Sequence, residues 1–139
     1  MTPAEIGSVW APRLLSVLRI MAALLFMQHG TQKLLGFPNM PANGQPAMGT
    51  LLWFGGVIEL VGGALIAIGF FTRPAAFIAS GMAAVAYFLF HAGRGFFPVM
   101  NGGELAALYC FVFLYIAAAG PGPWSVDATM SRNRASRWT

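Results

Sequence analysis

Glu59 is the one charged residue in residues 51–71 (LLWFGGVIELVGGALIAIGFF), a run long enough to cross a bilayer. Gly55 and Gly56 precede it by four and three residues, and Gly62 and Gly63 follow it by three and four. On a helix all four share the side of Glu59. A face without side chains lets another helix come close. An ionisable group at membrane depth is costly unless it meets a partner inside the protein. The spacing therefore predicts a buried acid turned towards a neighbouring helix. His29 and Lys33, one turn apart on another apolar stretch, are its first candidate partners. His29 lies eight residues before Phe37 and Glu59 eight residues after Leu51, each about 12 Å in from the same end by helical rise.

Further polar residues fall on faces that can turn the same way. Ser80, Ala84, Tyr87 and His91 make one stripe, which Arg94 extends. Glu104, Leu108, Phe111 and Tyr115 make another. The functional reading is a pocket in the outer half of the molecule, with His29 and Glu59 as the candidate catalytic pair exchanging protons with a ligand. Lys33, Tyr87, His91, Phe111 and Tyr115 would help to hold that ligand. The structural reading is that the charges neutralise one another and lock the helices in register, with Arg19 buried for that purpose and Arg94 paired with Glu104 at the rim. Both readings stay open. Two histidines and two glutamates could in principle bind zinc or iron, but they come singly from different segments without ligand-pair spacing, so no metal is expected. No nucleotide-binding fingerprint and no basic-aromatic pattern for nucleic acid is present.

The elements that position these residues are all helical. Of 139 residues, 58% are hydrophobic and only 9% charged, against roughly a quarter charged in soluble domains; mean hydropathy is +0.68. This composition excludes an ordinary soluble domain and points to a multi-pass membrane protein. Residues 1–12 are expected to form an interfacial segment, capped by Thr2 and Glu5 and interrupted at Pro12. Residues 13–120 would form a transmembrane four-helix up-down bundle with spans at about 13–35, 51–71, 74–91 and 104–119. Residues 121–139 would be a cytoplasmic tail whose Arg132, Arg134 and Arg137 meet anionic headgroups. A cleaved signal peptide fits poorly, because no small-residue cleavage site follows the first apolar stretch. Arg13, Arg19, Arg73 and the tail arginines fall on one side and Lys33 and Arg94 on the other, so both termini are expected in the cytoplasm. Trp10 and Trp124 suit the inner interface and Trp53 the outer. The glycines at 55, 62 and 69 mark a packing seam, assigned to the first span because Glu59 shares that side; a second copy of the chain is the alternative. Cys110 is a lone apolar-segment cysteine, so no disulfide within the chain is possible.

The string LRIMAALLFMQHGTQKLLGF resembles the first-helix signature of DoxX-type membrane proteins. Glu59, Gly62, Gly63, Gly69, Phe71, Thr72 and Arg73 resemble the second-helix pattern of that family. Asn101-Gly102-Gly103-Glu104 and the stretch from Gly120-Pro121-Gly122 to Ser125 and Asp127 are similar too. The likeness runs from about residue 15 to residue 127. It implies a four-helix protein of the bacterial inner (plasma) membrane, and marks Arg19, His29, Gly30, Lys33, Glu59, Arg73 and Glu104 as family positions. Named members of the family include a subunit of a thiosulfate:quinone oxidoreductase, and others are linked to quinone or oxidative-stress responses. The implied function is an accessory subunit of a quinone-linked redox or oxidative-stress system, with a quinone as the ligand and other membrane or redox subunits as partners. Whether the chain is itself an enzyme stays open. No flavin or haem site is evident, so electrons would come from a partner. The alternatives are a non-catalytic assembly or scaffold protein and a small-molecule carrier.

Overall fold

The computed structural model describes residues 1–138, and among them there is no β-strand. Helix α1 (Pro3–Leu35) opens on a reciprocal cap. Thr2 Oγ1 accepts the Glu5 N–H at 3.2 Å, and Glu5 Oε2 accepts the Thr2 N–H at 2.6 Å. The expected break at Pro12 does not occur; α1 continues through it. A proline removes one intrahelical bond and crowds one carbonyl, a cost of about 3 kcal/mol. The turns on both sides stay helical and carry the chain across. Gly36 ends the helix in a left-handed conformation, its N–H bonded to Gln32 O at 3.2 Å.

Helix α2 (Leu51–Ile68) is capped by Thr50 and widens into a π turn over Ile58–Gly62, so Glu59 sits on a local expansion of the backbone. It ends three residues before the expected limit. Apolar character continues to Phe71, but Gly69 adopts φ +72°, and the Gly69 and Phe70 N–H groups fold back onto Ile66 O and Leu65 O. Helix α3 (Thr72–Phe90) starts two residues earlier than expected, which places Pro74 in the first turn, where a missing N–H costs nothing. The short α4 (Pro98–Asn101) precedes α5 (Glu104–Ala119), and α6 (Val126–Ser136) closes the described chain.

Three helical stretches, α1, α2 and Thr72–Arg94, are long and apolar enough to cross a membrane. Helix α5, with 16 residues, is about 24 Å long by helical rise. Large apolar side chains face outward: Leu14, Leu18, Met21 and Leu25 form one stripe on α1, and Phe77 and Phe88 project from α3. Such faces suit hydrocarbon and not water. Each of the four main helices packs on the next along the chain, and α5 also returns to α1. At the centre Phe26 meets Phe113 edge-on at 4.9 Å and Tyr109 at 5.4 Å. Alanines 75, 76, 79 and 83 give α3 a smooth buried face against α5.

The approach of α1 to α2 fixes the site. A methyl added at Gly30 would lie 2.5 Å from Leu60 N and 2.8 Å from Gly56 O, so the two backbones touch there. A methyl at Gly63 would meet Met27 Cβ at 2.9 Å. The seam facing α1 is therefore Gly56 and Gly63. The expected seam of Gly55, Gly62 and Gly69 is not the one used: Gly55 faces Met82 of α3, Gly62 has near-open space, and Gly69 is a helix cap against Arg19 and Ser125. Adjacent positions on a helix differ by about 100°, and the sequence offers glycine at both.

The tail is not a loose appendage. Arg19, with no exposed surface, donates to Trp124 O at 2.7 Å, to Ala67 O at 3.5 Å and to Pro121 O. Ser16 Oγ accepts the Trp124 N–H at 3.1 Å. Ser125 caps α6, and Asp127 accepts the N–H groups of Thr72 at 2.9 Å and Phe71 at 3.1 Å. Phe71 is a non-glycine residue at φ +48°, so Asp127 braces a strained turn. Arg73 donates to Ala117 O at 3.1 Å and to Ala118 O, closing the C-terminal end of α5.

Two outcomes follow from this packing. Gly30→Ala forces backbones apart and lowers stability by about 1–3 kcal/mol. Gly81→Ala, where a methyl meets nothing within 4 Å, is neutral or stabilising by up to about 1 kcal/mol; denaturation in detergent micelles compares them. At Asp127 burial raises the carboxyl pKa, but the N–H groups of Thr72 and Phe71 and the charge of Arg19 outweigh it and hold it below its ordinary value. A depressed carboxyl stabilises the fold above its unfolded pKa, and that stability is lost as pH falls through the folded value. Asp127→Ala should thus cost about 1 kcal/mol at neutral pH, with the gap to the unsubstituted protein closing in acid. A gap that is constant with pH contradicts the brace.

Candidate functional site

Between α1, α2, α3 and α5 lies a cavity of about 220 Å³. Glu59, only 5% exposed, forms its acidic wall. Lys33 Nζ donates to both carboxylate oxygens of Glu59, at 2.8 and 2.9 Å. This is the sole ion pair among the described residues. The pairing follows from the glycine seam. Lys33 Cβ sits opposite Gly56, one turn from Glu59 along α2. A helical side chain leans towards its own N-terminus, so the lysine arm reaches back along the seam to the acid.

His29 lines the same cavity, but Glu59 is bonded to Lys33 and not to His29. The imidazole instead meets the Tyr109 ring nearly at right angles, with centroids 6.2 Å apart. The equal-depth argument brings His29 and Glu59 to one cavity; the longer arm of Lys33 takes the direct contact. His91 closes the cavity from the far end of α3, with Gly102, Leu105 and Ala106 beside it. Its Nδ1 lies 3.3 Å from Asn101 O.

Tyr87 is near this wall without lining it. Its ring tilts over His91 at 6.4 Å, and its hydroxyl accepts from Asn101 Nδ2 at 3.2 Å. Asn101, 1% exposed, also donates to Gly95 O at 2.9 Å and accepts the Gly103 N–H at 2.8 Å. One amide thus ties α3, the following loop and the start of α5 together. Ser80 Oγ donates to Cys110 O at 2.7 Å and fixes α3 to α5 lower down.

Phe111 and Tyr115 do not reach the cavity; they are 69% and 59% exposed on the outer side of α5. Tyr109, Phe113 and Ile116 form the buried face instead. Helix α5 is apolar all round, so its sequence carries no phase, and Glu104 is a misleading marker of the inner side because it is exposed. Arg94 and Glu104 form no ion pair, and Arg19 is held through its two terminal nitrogens by carbonyls and not by a carboxylate contact, its buried Nε having no partner. Tyr109 and Met82 line the cavity without being singled out in the sequence, and Asn101, which braces its rim, is read there only as part of the family-like entry to the fourth span. No signal in the chain picks out the first, because Leu108, Phe111 and Tyr115 recur at helical spacing just as Tyr109, Phe113 and Ile116 do. Among the described residues no three His, Cys, Asp or Glu side chains converge as metal ligands.

The cavity therefore offers a fixed ammonium–carboxylate pair, two imidazoles and a phenol inside otherwise apolar walls. It can accept and donate hydrogen bonds to a small polar group and hand it a proton.

A family model for DoxX matches residues 14–92, a stretch that holds Glu59, Lys33 and both histidines. An uncharacterized protein of Haemophilus influenzae is 48% identical over 122 residues, covering 85% of this chain and 91% of that protein. Inner membrane protein YqjF of Escherichia coli is 32% identical over 122 residues, covering 84% of this chain and 91% of its own. No solved structure matches.

Removing one member of the ion pair strands the other. Lys33→Met should lower stability by about 3 kcal/mol, and Lys33→Met with Glu59→Leu should recover most of it. Equal melting of the single and double variants in micelles would show that the pair holds nothing together.

Proposed function

The chain belongs to the DoxX family, and from that premise we propose that it is an accessory membrane subunit that binds a quinone-like, lipid-soluble ligand in the cavity beside Glu59. It is a multi-pass protein of the bacterial inner membrane, with three helices long and apolar enough to span it and a relative, YqjF, named an inner membrane protein. The observation that carries the ligand reading is the convergence of Lys33, Glu59, His29, His91 and Tyr109 on one hollow within apolar walls. A quinone head is a flat ring with two carbonyl acceptors. Lys33 and the imidazoles are donors of matching kind, and the ring would pack against Phe26 and Tyr109, which line the cavity as one edge-on pair. Two electrons and two protons convert a quinone to a quinol. The protons would pass through Glu59 and the imidazoles, and the electrons would come from a redox-active partner subunit.

The proposed topology is a four-span bundle with α5 as a short fourth span and both termini cytoplasmic. Arg13, Arg73 and the tail arginines gather at the end where Asp127 meets Thr72, and Lys33 and Arg94 lie towards the other. That asymmetry supports a cytoplasmic location for the arginine-rich end. The tail helix would then lie at the inner headgroups, and the cavity would open in the outer half.

A non-catalytic scaffold is the second reading, favoured by the position of the ion pair at the tightest helix contact. One titration separates the two. The protein in lipid nanodiscs is titrated with 2,3-dimethoxy-5-methyl-6-decyl-1,4-benzoquinone by calorimetry. Glu59→Gln and Lys33→Gln should each weaken binding at least tenfold. Undiminished binding by a well-folded Lys33→Met, Glu59→Leu double variant would make the charges structural and overturn the ligand site.

A further inference from the structure

A second hollow of about 380 Å³ runs along the outside of α2 and α3. Leu52, Phe54 and Ile58 form one wall and Phe77, Ile78 and Val85 the other. These side chains are largely exposed, so the groove opens sideways to the lipid. Two glycines keep it open. Gly55 faces the Met82 methyl, and a methyl added at Gly81 would meet no atom within 4 Å. The groove has one charged lining residue, Lys33. Lys33, Met82 and Ala86 line this groove and the polar cavity alike.

We infer that groove and cavity are the two halves of one site for a head-and-tail amphiphile, which reaches the ion pair sideways from the bilayer between α2 and α3, past Met82. The inference rests on the ligand reading above and adds the class of ligand and its route. The polar hollow takes a single ring-sized head; sites for larger ligands run to about 300–1,000 Å³. A long alkyl tail must therefore leave it, and the groove provides the way out. Lys33 stands at the junction, its charge held by Glu59 and its stem in apolar surroundings. Met82 suits a doorway, because an unbranched thioether changes shape at little cost. Lipid chains are as apolar as the groove. The groove thus contributes passage for the tail more than affinity.

Gly81 separates these roles, since it lines the groove and not the cavity. Binding of 2,3-dimethoxy-5-methyl-1,4-benzoquinone and of its 6-decyl derivative is measured by calorimetry on the protein in nanodiscs. The two probes share a head and differ only in the tail. Gly81→Leu should weaken the decyl compound at least tenfold and leave the tail-less compound within twofold, with Gly81→Ala in between. Val85→Trp fills the groove from its wall and should act in the same way, which keeps the test open if one variant misfolds. Unchanged decyl binding in the groove-filled variants overturns the shared site while the cavity reading stands. Equal weakening of both probes in a variant that melts normally also overturns it. Failure of both probes to bind the unsubstituted protein removes the cavity reading and this one together.

Discussion

The contact of α1 with α2 at Gly30 governs the molecule. Backbone touches backbone there, with Leu60 N and Gly56 O where a side chain would otherwise stand. In a bilayer no hydrophobic force drives helices together; close packing and polar contacts do that work. The glycines permit the first, and the approach they allow brings Lys33 to Glu59 for the second. A carboxylate and an ammonium on separate helices are each costly in hydrocarbon. Together at 2.8 Å they are a tolerable pair that also fixes register. The π turn at Ile58–Gly62 belongs to the same arrangement, because it shifts the phase of α2 where the acid must meet α1.

The two ends of the molecule use charge differently. Near the tail, Arg19, Arg73 and Asp127 are held by backbone groups: carbonyls for the guanidiniums, with the buried Arg19 Nε left unpartnered, and N–H groups for the carboxylate. That end is a closed structural knot tying α1, α2, α3, α5 and α6. At the other end Glu59 and Lys33 satisfy each other, but they border a cavity beside two histidines. A group already locked by several backbone bonds has little left for a ligand. A pair at a cavity wall has open directions. This difference is why the proposed ligand site is at Glu59 and not at the likewise buried Arg19.

Much of this was legible in the chain. The apolar runs gave the helices, and the glycines around Glu59 announced a close contact. Counting residues from the ends brought His29 near the acid. Three things were hidden, each for a physical reason. Helix α5 is apolar on every side, so nothing in its composition says whether Phe111 or Phe113 faces in. Glycine stands at both 55 and 56 and at both 62 and 63, so the pattern names a seam without choosing its phase. The tail was illegible as a partner of Arg19 because the groups that hold the arginine are main-chain carbonyls, which every residue carries.

The sequence by itself determined that this chain is helical and built for hydrocarbon, that an acid lies within it, and that residues without side chains flank that acid. These are properties of periodicity and composition, which act locally along the chain. Only the tertiary structure decided that Lys33 and not His29 takes the acid, that Tyr109 completes the cavity, and that one lysine borders both a polar hollow and an apolar groove. Those outcomes depend on the rotation and depth of whole helices. Rotation and depth are set where backbones meet, by distances of a few ångströms that no single segment encodes.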